Sequence, residues 1–239
     1  MQEIAVLALH GFLGQASDWE SIKTRIPNIE WYTPDLFKPN SYQLNSFLSV
    51  LDQLIHNYIE KLNAHKSRVF MGYSLGGRIG LHFLKYRPQL FDHYVFISAH
   101  PGLLSENEKE LRLKNDNEWA NKVKNLNWDD FLFEWNSQPV FSKDLIEPVR
   151  SQSDYSIESL IESLTYLSLG KQDGLREYIK KNQDKITWIV GNKDQKFFYL
   201  ADEMKQKKIL LDYKRISSGH RVLFENPKEV ISVLSQLVS

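Results

Sequence analysis

The 239-residue chain has no cysteine, no surplus of charge of either sign and no long hydrophobic run. Without cysteine there is no disulfide framework, no thiolate nucleophile and no cysteine-ligated zinc, so chemistry has to rest on serine, histidine, carboxylates or arginine. The 30 Lys+Arg residues balance 30 Asp+Glu. This argues against nucleic-acid or anionic-membrane partners, which usually draw a basic surplus. Nothing approaches the roughly 18 consecutive apolar residues of a membrane span, so membrane insertion is not expected. The run Ile4 to Leu9 is short, follows no basic stretch and precedes no small-residue cleavage pattern; it reads as a first strand. These absences fit a cytoplasmic location best.

What is present is the composition of one soluble globular domain, with 42% hydrophobic and 25% charged residues. Along the chain, short apolar runs alternate with helical patterns. Ile4 to Leu9 ends at His10-Gly11-Phe12-Leu13-Gly14, and Asp18 is placed to cap a short helix running toward Arg25. Trp31 to Thr33 reads as a second strand. Leu44, Phe47, Leu48, Leu51, Ile55, Tyr58, Ile59 and Leu62 then recur at helical spacing. Arg68 to Met71, Tyr94 to Ser98, Ile186 to Val190 and Leu210 to Ile216 read as further strands. Helices are expected after Gly77, around Leu200 to Met204, and from Pro227 onward. This alternation predicts an α/β fold with a mostly parallel sheet covered on both faces.

Residues 103–183 break the rhythm, being mostly helical with no convincing strand. They read as a helical cap inserted into a core made of residues 1–102 and 184–239. Such an insertion commonly roofs the site at the strands' carboxyl ends. It carries Trp119, Trp128 and Trp135. Trp119 and Trp128 can equally serve only to anchor it to the core.

Gly72-Tyr73-Ser74-Leu75-Gly76 matches G-x-S-x-G and lies between a strand and a helix. A bare match has on the order of a one-in-ten chance of arising in a chain this long. Its placement is what makes it informative: flanking glycines allow the sharp turn that holds a serine hydroxyl out over a sheet. A serine needs a histidine to accept its proton and an acid to orient that histidine. Of seven histidines only His220 lies beyond the expected cap, in Ser217-Ser218-Gly219-His220; Asp194 follows the strand Ile186 to Val190. The order Ser74, Asp194, His220 is the one α/β-hydrolases use. An Asp in an Asx-turn and a His in a loop are the plain alternatives. Phe12 follows the first strand, where its backbone N–H and that of Leu75 would converge as an oxyanion hole. His10 itself reads as structural.

These residues resemble the α/β-hydrolase superfamily over nearly the whole chain. Further segments resemble one family within it, the 2-succinyl-6-hydroxy-2,4-cyclohexadiene-1-carboxylate synthases of menaquinone biosynthesis. They are Gly72 to Arg78, His100-Pro101-Gly102-Leu103, Arg112 with Asp116 and Trp119-Ala120, Trp135 with Gln138-Pro139-Val140-Phe141, Arg150-Ser151, Gly191 to Asp194 with Lys196-Phe197, and Glu225-Asn226-Pro227. The resemblance implies a lyase on a hydrolase scaffold that removes a proton from a cyclohexene intermediate and expels pyruvate without a cofactor. Arg78, one helical turn past Ser74, could grip a carboxylate, or could lie on an exposed helix face. The resemblance implies that Arg78, Arg112 and Arg150 all bind the polycarboxylate substrate, with Tyr73 and Trp135 walling the pocket; either aromatic could equally be core. Two positions depart from relatives. Asp35 is followed by Leu36-Phe37-Lys38 rather than Pro-Gly-His-Gly, and Asn136 stands where a Tyr often follows the cap tryptophan.

The expected function is therefore that of the synthase family, acting on a small polycarboxylate as a monomer or weak homo-oligomer. A serine carboxylesterase or C–C hydrolase working through an acyl-enzyme is the alternative. A binding protein that has abandoned catalysis would commonly have lost a triad member.

Overall fold

The computed structural model describes residues 3–238. In chain order the elements are β1 (Ile4–Leu9), a 3-10 turn (Ala16–Trp19) leading into α1 (Glu20–Lys23), β2 (Ile29–Tyr32), α2 (Phe47–Asn63), β3 (Ser67–Tyr73), α3 (Leu75–Tyr86) and β4 (His93–Ile97). Four helices follow: α4 (Glu106–Asn125), α5 (Trp128–Asn136), α6 (Ile157–Tyr166) and α7 (Arg176–Lys181). The chain then returns to the sheet through β5 (Ile186–Gly191), α8 (Gln195–Gln206), β6 (Lys214–Ile216), α9 (Val222–Glu225) and α10 (Pro227–Val238).

The six strands form one sheet in the order β2-β1-β3-β4-β5-β6, with every neighbouring pair parallel. Parallel strands are joined by crossovers that place helices on both faces, so their residues are apolar almost continuously rather than alternately. Side chains of β3 show the consequence. Phe70 packs with Leu7, Phe96 and Trp188 under α2, α3 and α8, while Val69 and Met71 join Val6, Val95 and Ile189 against α1 and α10. The chain leaves β1 to one side for β2 and re-enters on the other side at β3. A crevice therefore opens at the carboxyl ends of β1 and β3, where the loops after Leu9 and Tyr73 meet.

Three sequence expectations need correction. Asp18 does not cap the first helix: the cap is Gln15, the first turn is 3-10, and the Asp18 carboxylate accepts the Gln15 backbone N–H. The final strand is only Lys214–Ile216, because Leu210 to Tyr213 form the turn leading into it. Trp31 is inside β2 but Thr33 is not, since pairing with β1 ends at Tyr32. Between β4 and β5 the described residues contain helices and 3-10 turns but no strand. Within that span α4 packs against α6, whereas α7 packs on α3 beside the sheet.

Candidate active site

Ser74 occupies a strained elbow between β3 and α3, with φ 51° and ψ −109°, and its backbone N–H is held by the Ile97 carbonyl at 2.9 Å. Such φ values are unfavourable for a residue bearing a Cβ and persist only where the surroundings enforce them. Gly76 is part of that enforcement. A Cβ there would lie 2.1 Å from the Leu9 carbonyl oxygen, so only glycine lets the start of α3 close on the end of β1. This approach places the Leu75 N–H, first in its helix and without an intrahelical acceptor, beside the loop after β1. In that loop, buried His10 donates from Nδ1 to the Gly11 carbonyl at 2.8 Å and accepts the Leu36 N–H at Nε2, 3.0 Å away. His10 therefore holds the loop's shape. Among the described residues no acceptor takes the Phe12 N–H.

His220, four residues past the end of β6, reaches back to the elbow. Its Nδ1 lies 2.6 Å from Asp194 Oδ2 and its Nε2 lies 3.4 Å from Ser74 Oγ. The carboxylate can accept only from a protonated Nδ1, which leaves Nε2 of the neutral ring as the acceptor facing the serine. Asp194 is itself fixed as the cap of α8, accepting the Phe197 N–H at Oδ1. Both residues are 4% exposed, and the rings of Phe197, Tyr73 and Phe141 lie 4.8, 5.6 and 5.7 Å from the imidazole. The structure thus brings Ser74, His220 and Asp194 together, with Phe12 and Leu75 alongside.

They open onto a cavity of about 650 Å³ between the strand ends and the helices that follow β4. Trp119 and Trp135 form part of its wall, stacked edge to face 5.0 Å apart, and Phe12 packs on Trp135 at 4.5 Å. Trp128 does not reach the cavity. It donates to the Arg150 carbonyl at 2.9 Å and packs on Tyr155, as an anchor would.

The cavity's far wall is cationic. Arg78 has no carboxylate partner among the described residues; its one side-chain hydrogen bond is a long one, 3.4 Å, to Gln172 Oε1, and its guanidinium lies over the Phe47 ring. Desolvation, and then repulsion from Arg112, brings its pKa down to about 9. It is still a cation at neutral pH, but a poorly compensated one that an anion would stabilise. Arg112 is anchored through Nε to both oxygens of buried Asp116, at 2.8 Å each, and Asp116 also accepts from Ser168 Oγ at 2.7 Å. Lys196 borders the same space, its pKa lowered by desolvation and by Arg112.

Two expected pocket residues, Arg150 and Tyr73, do not line the large cavity. Arg150 forms a two-point ion pair with Asp18 (Nη1 to Oδ1 2.8 Å, Nη2 to Oδ2 2.9 Å), both side chains being nearly buried. Like Tyr73, it borders a small adjoining recess that shares Ser74, His220, Phe12, Trp135 and Phe141 with the large cavity. An arginine whose fork is already filled by a carboxylate is a weaker anion site than one left open. Other cavity groups carry no role in the sequence reading. His100 lines the cavity and accepts the Gly102 N–H at Nδ1, 3.2 Å away, so its neutral ring carries the proton on Nε2. Burial, followed by Lys196, Arg176, Arg78 and Arg112, holds its pKa well below the usual value. Gln172 joins Arg78 to the His100 carbonyl. A lone Gln in a loop carries no signal in one sequence, but Lys196, two residues past Asp194, could have been found.

No protein-family model matches the chain. Curated relatives named 2-succinyl-6-hydroxy-2,4-cyclohexadiene-1-carboxylate synthase do. The Citrobacter koseri protein is 28% identical over 239 residues, spanning 96% of this chain and 92% of that one. The Enterobacter sp. (strain 638) protein is 26% identical over 238 residues, spanning 96% and 90%. Among solved structures, MenH from S. aureus superposes with a TM-score of 0.84 at 20% identity, covering 100% of this chain and 94% of that one. A carboxylesterase from the thaumarchaeon Nitrososphaera gargenis superposes with a TM-score of 0.76 at 17% identity, covering 99% and 90%. The chain has the α/β-hydrolase fold.

Proposed function

We propose that this chain is a 2-succinyl-6-hydroxy-2,4-cyclohexadiene-1-carboxylate synthase, a lyase of menaquinone biosynthesis that eliminates pyruvate from a succinyl-enolpyruvyl-cyclohexene carboxylate. Near-full-length similarity to curated synthases supports this, and one structural observation carries it: the cavity joins an intact Ser-His-Asp array to open guanidinium groups. A neutral ester needs no such cations. The proposed substrate bears a carboxylate on each of its ring, succinyl and enolpyruvyl parts, and Arg78 and Arg112 are cavity arginines without a filled fork among the described residues.

In this reading residues 103–183 are the cap. Held by its carboxylates, the substrate presents the ring proton beside its succinyl carbonyl to the elbow. His220 Nε2 accepts a proton through Ser74 Oγ, Asp194 stabilises the imidazolium, and the Phe12 and Leu75 N–H groups take the charge that develops on the carbonyl oxygen. The electrons left on the ring carbon shift through the ring double bond and break the bond to the enolpyruvyl oxygen, giving pyruvate after proton transfer and leaving a conjugated diene. No cofactor takes part. The enzyme works in the cytoplasm as a monomer or weak homo-oligomer, with no nucleic-acid partner.

The test supplies the enolpyruvyl precursor and follows pyruvate and the diene's ultraviolet absorbance together. Stoichiometric appearance of both supports the reading. A burst of p-nitrophenol from neutral p-nitrophenyl esters with no diene would instead establish the acyl-enzyme alternative, whose fold-level support is the esterase neighbours.

A further inference from the structure

The histidine loop is tied to the cap by a cluster of contacts that the triad itself does not require. Arg221, next to His220 in sequence, is 7% exposed, and its guanidinium turns away from the large cavity into residues 136–146. There Nη2 donates to Asn136 Oδ1 at the end of α5, Nη1 donates to the Ile146 carbonyl at 3.2 Å, and Nε faces Asp144 Oδ2 at 3.6 Å. The plane of the guanidinium lies over the Phe141 ring, 4.4 Å from its centroid, and that ring also touches His220. The loop's backbone is held from the same side. Asp144 Oδ1 accepts the Arg221 N–H at 3.2 Å, and Glu225 accepts the Gly219 N–H at 2.8 Å with one oxygen and the Leu145 N–H with the other. A Cβ on Gly219 would lie 2.0 Å from Asp144 Oδ1, so the cap loop seats directly on the residue before His220.

We propose that Arg221 is a positioning residue that latches the cap to the histidine loop, so that His220 reaches Ser74 only when residues 136–146 are seated. It rests on the triad reading but not on which substrate the triad serves. Three features favour a latch over a plain structural contact. The fork of Arg221 donates to two separate points of the cap, Asn136 Oδ1 and the Ile146 carbonyl, and faces Asp144 as a third charge contact at 3.6 Å, so it reads the position of the segment as a whole. The carboxylate it meets, Asp144, is buried with Oδ2 lacking a hydrogen bond, which leaves the pair short of the geometry a purely stabilising bridge would adopt. The same segment supplies Val140 and Phe141 to the cavity wall, so an occupant of the cavity and the setting of His220 are coupled through one piece of chain. Asn136 then has a function on the cap side, as a short amide acceptor facing Arg221.

The experiment compares wild type with Arg221→Met, Arg221→Lys and Asn136→Ala. Two readouts are used: steady-state pyruvate release, and the rate at which a fluorophosphonate probe labels Ser74, which reports the Ser74–His220 geometry whatever the natural substrate. The latch predicts that Arg221→Met lowers kcat and the labelling rate about tenfold in parallel with KM changed less than about threefold, because Arg78 and Arg112 are untouched. Asn136→Ala, which removes only the cap-side acceptor and leaves the core chain intact, should lower both by a smaller factor, and Arg221→Lys should recover part of the loss. Labelling and kcat within twofold of wild type in folded Arg221→Met and Asn136→Ala would overturn the latch, as would losses that only match the unfolded fraction. A wild-type protein that labels with the probe but releases no pyruvate would overturn the proposed substrate and leave the latch measurable. Wild type that resists the probe would overturn the triad reading and the latch with it.

Discussion

Arg112 gives its Nε to both oxygens of buried Asp116, 2.8 Å from each, so the guanidinium is held from behind on the cavity wall, and its two Nη groups have no partner among the described residues. The carboxylate orients a cation for something else to use. Replacing Arg112 with Ala removes the paired hydrogen bonds to a substrate carboxylate that the proposed function assigns it, worth about 1.5 to 3 kcal/mol, or roughly 10- to 150-fold in KM. Asp116→Asn should raise KM less, since it frees the guanidinium without removing it. Initial-rate kinetics of both variants check this, and equal effects would mean that orientation by Asp116 is all that matters.

Arg150 differs because its fork is already filled by Asp18. The expected outcome for Asp18→Asn is a stability loss of about 3 kcal/mol, since it strands a buried guanidinium. For Arg150→Ala, the KM change should be smaller than for Arg112→Ala, alongside a fall in Tm. Thermal melts and kinetics on the same preparations separate the two. A KM effect larger than that of Arg112→Ala would return Arg150 to the substrate site that the family resemblance assigns it.

The elbow makes a prediction of opposite sign for stability and activity. Ser74 is held at φ 51°, ψ −109°, and glycine relieves that strain. Net of the extra entropy glycine brings to the unfolded chain, Ser74→Gly should be more stable by about 1 kcal/mol and inactive. Chemical denaturation checks the first part. Gly76→Ala should lower stability and activity together, since its Cβ meets the Leu9 backbone rather than a yielding side chain and displaces the start of α3.

Acid should weaken the fold through buried neutral histidines. His82 stacks on Phe47 with centroids 4.1 Å apart and donates from Nδ1 to the Arg78 carbonyl at 2.8 Å. Burial is the main cause that brings its pKa down to about 4. The unfolded chain binds a proton near pH 6.5 while the native state refuses it until about pH 4. Stability is therefore fully present above pH 6.5 and falls with acid across that window, by about 1.4 kcal/mol per pH unit for one group. Burial lowers the pKa of His10, His93 and His100 as well, adding to the same trend. Urea titrations from pH 7 to 4.5 should show a shallower slope in His82→Gln than in wild type; parallel slopes would show that His82 takes no part.

The core and the chemical array were legible because each leaves a local mark. The strands β1, β3 and β5 are continuous apolar runs ended by glycine-rich loops, and Ser74 sits in the one place where a sharp strand-to-helix turn is written in glycines. Asp194 and His220 followed from chain order, since both lie just past strands. The first helix was misread because Asp18 looks like a cap locally, whereas its partner Arg150 is 132 residues away. Gln172, Arg221 and Asp144 escaped for the same reason: their meaning is set by contacts between residues 103–183 and the rest of the chain that no spacing in the sequence encodes. The arginines divided along this line. Spacing from Ser74 leaves Arg78 open between the cavity and an exposed helix face; the structure puts it on the cavity wall and shows Arg112 held by Asp116 while the fork of Arg150 is filled by Asp18.

The most direct test of the whole account is the initial rate of pyruvate formation from the succinyl-enolpyruvyl-cyclohexene carboxylate, measured side by side for wild type and folded Ser74→Ala. The account predicts saturable pyruvate release by wild type and a loss of about a thousandfold or more in the variant, because the elbow hydroxyl links the substrate proton to His220. Pyruvate release that is equal in the two proteins, or absent from both, would contradict it.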